Sequence, residues 1–119
     1  SRDLFVASYR GDGVLNWVQR AGGSLDDGAA GVATDGQGHS YVTGFFRGQA
    51  RFQQTLLTSR GTSAALDAFL AKYNSQGALV WVQQVGGPGD DRGYSTAVDS
   101  EGGCLVAGTF NGTAIFGPR

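Results

Sequence analysis

Asp67-Ala68-Phe69-Leu70-Ala71-Lys72-Tyr73, then Asn74-Ser75-Gln76-Gly77, then Leu79-Val80-Trp81-Val82-Gln83-Gln84-Val85: this stretch decides the fold. Its first seven residues alternate, placing Phe69, Ala71 and Tyr73 on one face, the period of a strand. The next four carry turn chemistry and lead into a run rich in β-branched and aromatic residues. Together they predict an antiparallel hairpin. The same text stands 64 residues upstream, as Asp3-Leu4-Phe5-Val6-Ala7-Ser8-Tyr9 and Leu15-Asn16-Trp17-Val18-Gln19.

The repetition extends well beyond the hairpin. Residues 1–55 align with 65–119 without a gap, and 22 of the 55 pairs are identical. Among them are Trp17-Val18-Gln19 with Trp81-Val82-Gln83, Gly22-Gly23 with Gly86-Gly87, and Asp26-Asp27 with Asp90-Asp91. Self-similarity at a long fixed period marks a repeat architecture, whose units bury their apolar faces only by stacking on neighbours. A second hairpin is predicted in each copy. It runs from Gly31–Asp35 through Gly36-Gln37-Gly38-His39 to Ser40–Phe46, and from Ser95–Asp99 through Ser100-Glu101-Gly102-Gly103 to Cys104–Phe110. A short extra hairpin, Ala50–Phe52 with Thr55–Thr58, precedes a flexible loop at Ser59-Arg60-Gly61-Thr62-Ser63. Seven or eight principal strands and no helix of ordinary length are expected.

Composition agrees with many turns and short strands. Of 119 residues, 21 are Gly and none is Met, and charged residues make up only 16%. With a formal net charge of −1 and no run of Lys or Arg, the chain lacks the basic footprint of a nucleic-acid or anionic-membrane binder. No apolar stretch approaches a membrane span, and Ser1-Arg2-Asp3 lacks the charged and apolar regions of a signal peptide. The single Cys104 forms no intrachain disulfide; standing where the first copy has Ser40, it reads as a small buried hydrophobe.

The string Asp67 to Gly77, then Gly86-Gly87-Pro88-Gly89-Asp90-Asp91, then Ala97-Val98-Asp99-Ser100-Glu101-Gly102 and Val106-Ala107-Gly108, resembles the bacterial β-propeller repeat family often called SBBP. The resemblance covers nearly the whole chain in two copies. It implies an all-β propeller with blades of four antiparallel strands around a channel, in extracellular or cell-surface bacterial proteins, and it implies no enzymatic activity. In the family's strand order, residues 1–23 are the outer half of one blade, 24–87 one complete blade, and 88–119 the inner half of the next. About two blades' worth of sequence does not close a ring, so the open halves are expected to be completed by other copies of the chain or by adjacent blades of a longer one.

Few residues present themselves as a site. Trp17, Trp81, Phe5, Phe69, Tyr9 and Tyr73 recur at alternate positions and read as structural packing between blades. The acids Asp26, Asp27, Asp90 and Asp91, each pair following Gly-Gly in a connecting loop, are candidate ligand-binding groups near the channel mouth; turn capping of backbone amides competes as their role. Arg92 and Tyr94 join them in the second copy, where the first has Gly28 and Ala30. Arg10-Gly11-Asp12 and Asn111-Gly112-Thr113 match short recognition and glycosylation patterns but sit where turns are expected, and His39 reads as a surface residue.

One His and one Cys support neither a catalytic triad nor a structural zinc site, and neighbouring acids alone do not make a hydrolase. The sequence therefore reads as a non-catalytic structural or interaction module, with no cofactor. A lectin-like propeller, binding carbohydrate or a small ligand at loops between blades, is the alternative.

Overall fold

Eleven strands form in the computed structural model, which describes residues 2–61 and 65–116. In chain order they are β1 (Leu4–Tyr9), β2 (Leu15–Gly22), β3 (Gly28–Thr34), β4 (Ser40–Arg47), β5 (Gln49–Phe52), β6 (Thr55–Thr58), β7 (Leu66–Tyr73), β8 (Leu79–Gly86), β9 (Arg92–Val98), β10 (Cys104–Thr109) and β11 (Ile115–Phe116). No helix occurs among the described residues. Thr62 and Ser63 of the expected loop lie outside them.

The four hairpins share a turn that the sequence spells out. At Asp35, Asn74 and Asp99 the side-chain oxygen accepts the amides two and four residues on, at 2.8–3.0 Å. This Asx geometry satisfies amides that the ladder leaves free. The glycine that closes each turn, Gly13, Gly38, Gly77 or Gly102, has φ between 86° and 90°, a left-handed conformation that a side chain resists. In the two longer hairpins the register then slips by one residue, between Ser8 and Tyr9 and between Lys72 and Tyr73, as a bulge at the turn requires.

In the middle of the chain β3, β4, β7 and β8 lie side by side and antiparallel. β4 and β7 are the centre of this sheet and are buried along most of their length, whereas the flanking strands alternate between partly buried and exposed. β1 and β2 belong to a separate sheet, and β9 pairs with β10 in a two-stranded one. The result is a partial propeller-like fold.

The eight principal strands expected are β1–β4 and β7–β10, and the expected short hairpin forms as β5 and β6. β5 and β6 leave the middle blade and extend the sheet of the preceding one, giving the order β1-β2-β5-β6. Ala21 and Gly22 of β2 pair with Phe52 and Arg51 of β5. At the repeat-equivalent place β11 does the same, pairing Ile115 and Phe116 with Gly86 and Val85 of β8. The hairpin after β4, and the short strand after β10, thus hydrogen-bond to the free edge of β2 and of β8. The physical reason is an open edge: an outermost strand has an unpaired row of donors and acceptors, and the hairpin covers it.

The core lies between the first two sheets rather than inside either. Leu4, Val6 and Ala21 face Val42, Phe69, Ala71 and Tyr73, with Ala50 and Phe52 of the added hairpin closing the end. The Phe52 and Phe69 rings meet at 4.8 Å between centroids and 58° between planes, a tilted aromatic pair.

Candidate functional site

The paired acids hold the loop that links one blade to the next. The Asp26 carboxylate accepts the Arg2 amide at 2.8 Å, while the Asp27 amide donates to the Arg2 carbonyl at 2.7 Å. The second copy repeats this on Leu66, whose amide donates to Asp90 at 3.0 Å and whose carbonyl accepts from Asp91 at 2.7 Å. Each pair therefore pins the start of a hairpin, at Arg2 two places before β1 and at Leu66, the first residue of β7. The second acid of each pair is buried and turns back on its own loop, Asp27 accepting the Gly23 amide at 3.0 Å and Asp91 the Gly87 amide at 3.1 Å.

Electrostatics follow from those partners. The Arg2 amide and guanidinium hold the exposed Asp26 carboxyl below its ordinary value. Burial pushes Asp27 upward against the amides of Gly23 and Arg47, with Asp3 and Asp26 adding repulsion. Burial likewise pushes up Asp67, which accepts the Arg60 amide at 2.9 Å and the Gln84 side chain at 2.7 Å and feels the charge of Asp91. One oxygen each of Asp67 and Asp91 has no partner among the described residues. For Asp91 the repeat supplies the reason: Asp27 uses that oxygen to accept the Arg47 amide at 3.3 Å, and the equivalent Asn111 lies in the half-blade at the open end.

The other proposed site residues are scattered. The Arg92 guanidinium sits 5.3 Å over the Phe45 ring, a cation–π contact, and lines a groove that contains none of the four acids. Tyr94 is half exposed on the inner strand β9. Among the described residues no group of three or more His, Cys, Asp or Glu is placed to hold a metal ion, and no helix is long and apolar enough to cross a membrane.

The aromatic set divides by position. Trp17 of β2 reaches across to the next blade, donating to the Ser75 carbonyl at 3.1 Å, and its ring lies 6.0 Å from that of Tyr73. Gly77 makes room for it, since a Cβ there would meet the indole. Trp81 is partly buried and lies 6.2 Å from the Tyr41 ring. Phe69 and Tyr73 are buried, whereas their repeat equivalents Phe5 and Tyr9 are largely exposed on β1, an edge strand with no neighbour on one side.

Two grooves flank the open ends. One, of about 340 Å³, lies between β7–β8 and β9–β10 and is lined by Ala68, Leu70, Val85, Val106, Phe110 and Phe116 among others. Shifted by 64 residues, those six are Leu4, Val6, Ala21, Val42, Phe46 and Phe52, all members of the buried core. The other groove, of about 290 Å³, runs between Phe5, Val6 and Ala7 of β1 and residues 29–32 of β3.

Sequence reasoning missed two residues that seat the blades. Thr43 is fully buried, donates to the Phe69 carbonyl at 2.7 Å, and fills the space left by Gly93 of the next blade. Gln53 clasps the next hairpin through the Gly77 carbonyl at 3.1 Å and the Leu79 amide at 3.0 Å. Its φ of 53°, the single positive value outside glycine among the described residues, was the missing signal, and composition does not carry it.

No family model matches the chain. It is 26% identical over 118 aligned residues to a protein of Acanthamoeba polyphaga mimivirus described as an uncharacterized WD repeat-containing protein. The match takes in 93% of this chain and only 8% of that relative's length. The chain itself has no Trp-Asp dipeptide; Val follows both tryptophans. WD repeats build four-stranded propeller blades, and that likeness agrees with the stacked sheets here on a β-propeller-type repeat.

Proposed function

We propose that this chain is a non-catalytic interaction module of a β-propeller, built of SBBP-type repeats and completed by other copies or by neighbouring blades. The observation that carries the reading is the core between sheets: its apolar faces, its Trp17 bridge and its added hairpin all serve blade-to-blade stacking. The acids most suggestive of chemistry are engaged with backbone amides. The proposal places the assembled protein outside the cell, on the ground of the repeat resemblance alone.

The alternative is a lectin-like propeller with a site at Arg92 and Tyr94, favoured by the half-exposed Tyr94 ring on an inner strand. A glycan array together with calcium titration separates the two. The module reading expects no saturable sugar binding and no calcium-dependent rise in melting temperature, because a ligand of the folded state raises its stability with concentration. Saturable sugar binding lost in Tyr94→Ala would overturn it in favour of the lectin.

A further inference from the structure

We propose that Asn111 is a site of spontaneous deamidation, in which the backbone nitrogen of Gly112 attacks the Asn111 side-chain carbonyl and leaves an aspartate or isoaspartate beside the acids of the neighbouring loop. The chain has three asparagines, and their surroundings differ. Asn16 lies within β2, its side chain donates to the Ser8 hydroxyl at 3.1 Å, and bulky Trp17 follows it. Asn74 is followed by Ser75, and its side-chain oxygen accepts the Gln76 and Ala78 amides at 2.9 Å each, which holds the carbonyl in the turn. Asn111 is exposed between β10 and β11, and among the described residues its side chain makes no hydrogen bond.

The nucleophile is as free as the carbonyl. Gly112 has a φ of 75°, and a Cβ there would meet nothing within 4 Å, so no side chain stands in the way of its nitrogen. Its amide donates no hydrogen bond among the described residues. The same conformation stands in the interior of the chain, where the equivalent Gly48 has a φ of 69° and an amide that likewise donates none. What differs is the residue before, Arg47 in one copy and Asn111 in the other, so only the second copy carries the electrophile. Solvent base removes the Gly112 amide proton, the nitrogen bonds to Cγ of Asn111, and the Cγ–Nδ2 bond breaks to release ammonia, which takes up a proton from water. Water then opens the cyclic imide. Attack at Cγ restores the ordinary backbone with aspartate, and attack at the backbone carbonyl routes the chain through Cγ as isoaspartate. Asn111 lies against Gly89, where an added Cβ would meet its backbone oxygen at 2.7 Å and its Cβ at 2.8 Å, so the new carboxylate arises next to the loop of Asp90 and Asp91. Isoaspartate also adds a methylene to the path into β11, which only a two-residue pairing holds to β8. The reaction needs no partner beyond water and is independent of the propeller reading.

The test is peptide mapping by mass spectrometry after incubation of the chain in mildly alkaline buffer, with and without urea. In the folded chain Asn111 should convert while Asn16 and Asn74 keep their amides, and the product should include isoaspartate. In urea, which releases the Asx turn, Asn74 should begin to convert as well. Gly112→Ala should slow conversion at Asn111 by about tenfold, the effect of a barrier raised by about 1.4 kcal/mol. Asn111→Gln, which would have to close a larger ring, should keep its amide. Both substitutions fall on exposed residues, and circular dichroism checks that each variant folds. A folded chain in which Asn111 keeps its amide as long as Asn74 does overturns the inference, as does a Gly112→Ala chain that converts as fast as its parent.

Discussion

Phe5 and Phe69 are one position of the repeat in two environments, which makes them a controlled pair. The Phe69 ring is buried between sheets against Phe52, while Phe5 lies on the open strand. Truncating a buried Phe to Ala costs roughly 3–5 kcal/mol, lost transfer energy plus the cavity left behind. Truncating an exposed one stays within about 0.5 kcal/mol. With a urea dependence of about 2 kcal/mol per molar, Phe69→Ala should lower the unfolding midpoint by roughly 2 M, and Phe5→Ala by no more than about 0.3 M. The assay is urea unfolding followed by tryptophan fluorescence, at a concentration where the chain is monomeric. Equal midpoints for the two variants in the dilute chain would refute the assignment of β7 to a blade centre and β1 to an open edge.

Three further outcomes follow from the geometry. Gly44→Ala should destabilise by about 1–3 kcal/mol, since a Cβ there would run into the Gly28 carbonyl; a denaturation midpoint unchanged from the parent would show that β3 and β4 separate more easily than their register implies. Asp27→Ala should cost about 1–3 kcal/mol by leaving the Gly23 and Arg47 amides without their acceptor, and hydrogen exchange at those two amides should accelerate. For Asp67 the folded carboxyl titrates above its ordinary 3.8, so its stabilising contribution is complete below that value and is lost as pH rises through the raised one. Asp67→Asn should therefore flatten the fall in stability over that window. Parallel pH curves for variant and parent would assign the fall to other groups.

Much of the fold is legible in the sequence because two signals coincide there. Alternation places Phe69, Ala71 and Tyr73 on one face, and at Asp35, Asn74 and Asp99 an Asx residue followed by a left-handed glycine closes the hairpin. The destination of β5 and β6 is not legible. Four-residue strands such as Gln49–Phe52 and Thr55–Thr58 carry too little pattern to choose a partner, and their partner β2 belongs to the blade before. The candidate acids show a different limit. Gly-Gly followed by two acids specifies a loop rich in carboxylates, but whether those carboxylates face solvent or backbone depends on where Arg2 and Leu66 arrive from a distance of 24 residues. At the aromatic positions, which copy is packed and which is bare follows from the presence of a neighbouring sheet, not from the residue.

The hairpin that each second strand gives to the blade before has a consequence for how such a gene grows. The 64-residue period is a unit of inheritance without being a unit of folding, since the middle sheet takes β3 and β4 from one copy of the period and β7, β8 and the edge strand β11 from the next. Duplication or deletion of a whole period therefore needs no particular breakpoint. Wherever recombination cuts, the segment gained or lost has ends that fit the ends left behind, so blade number is free to drift in whole steps while every surviving interface keeps its residues.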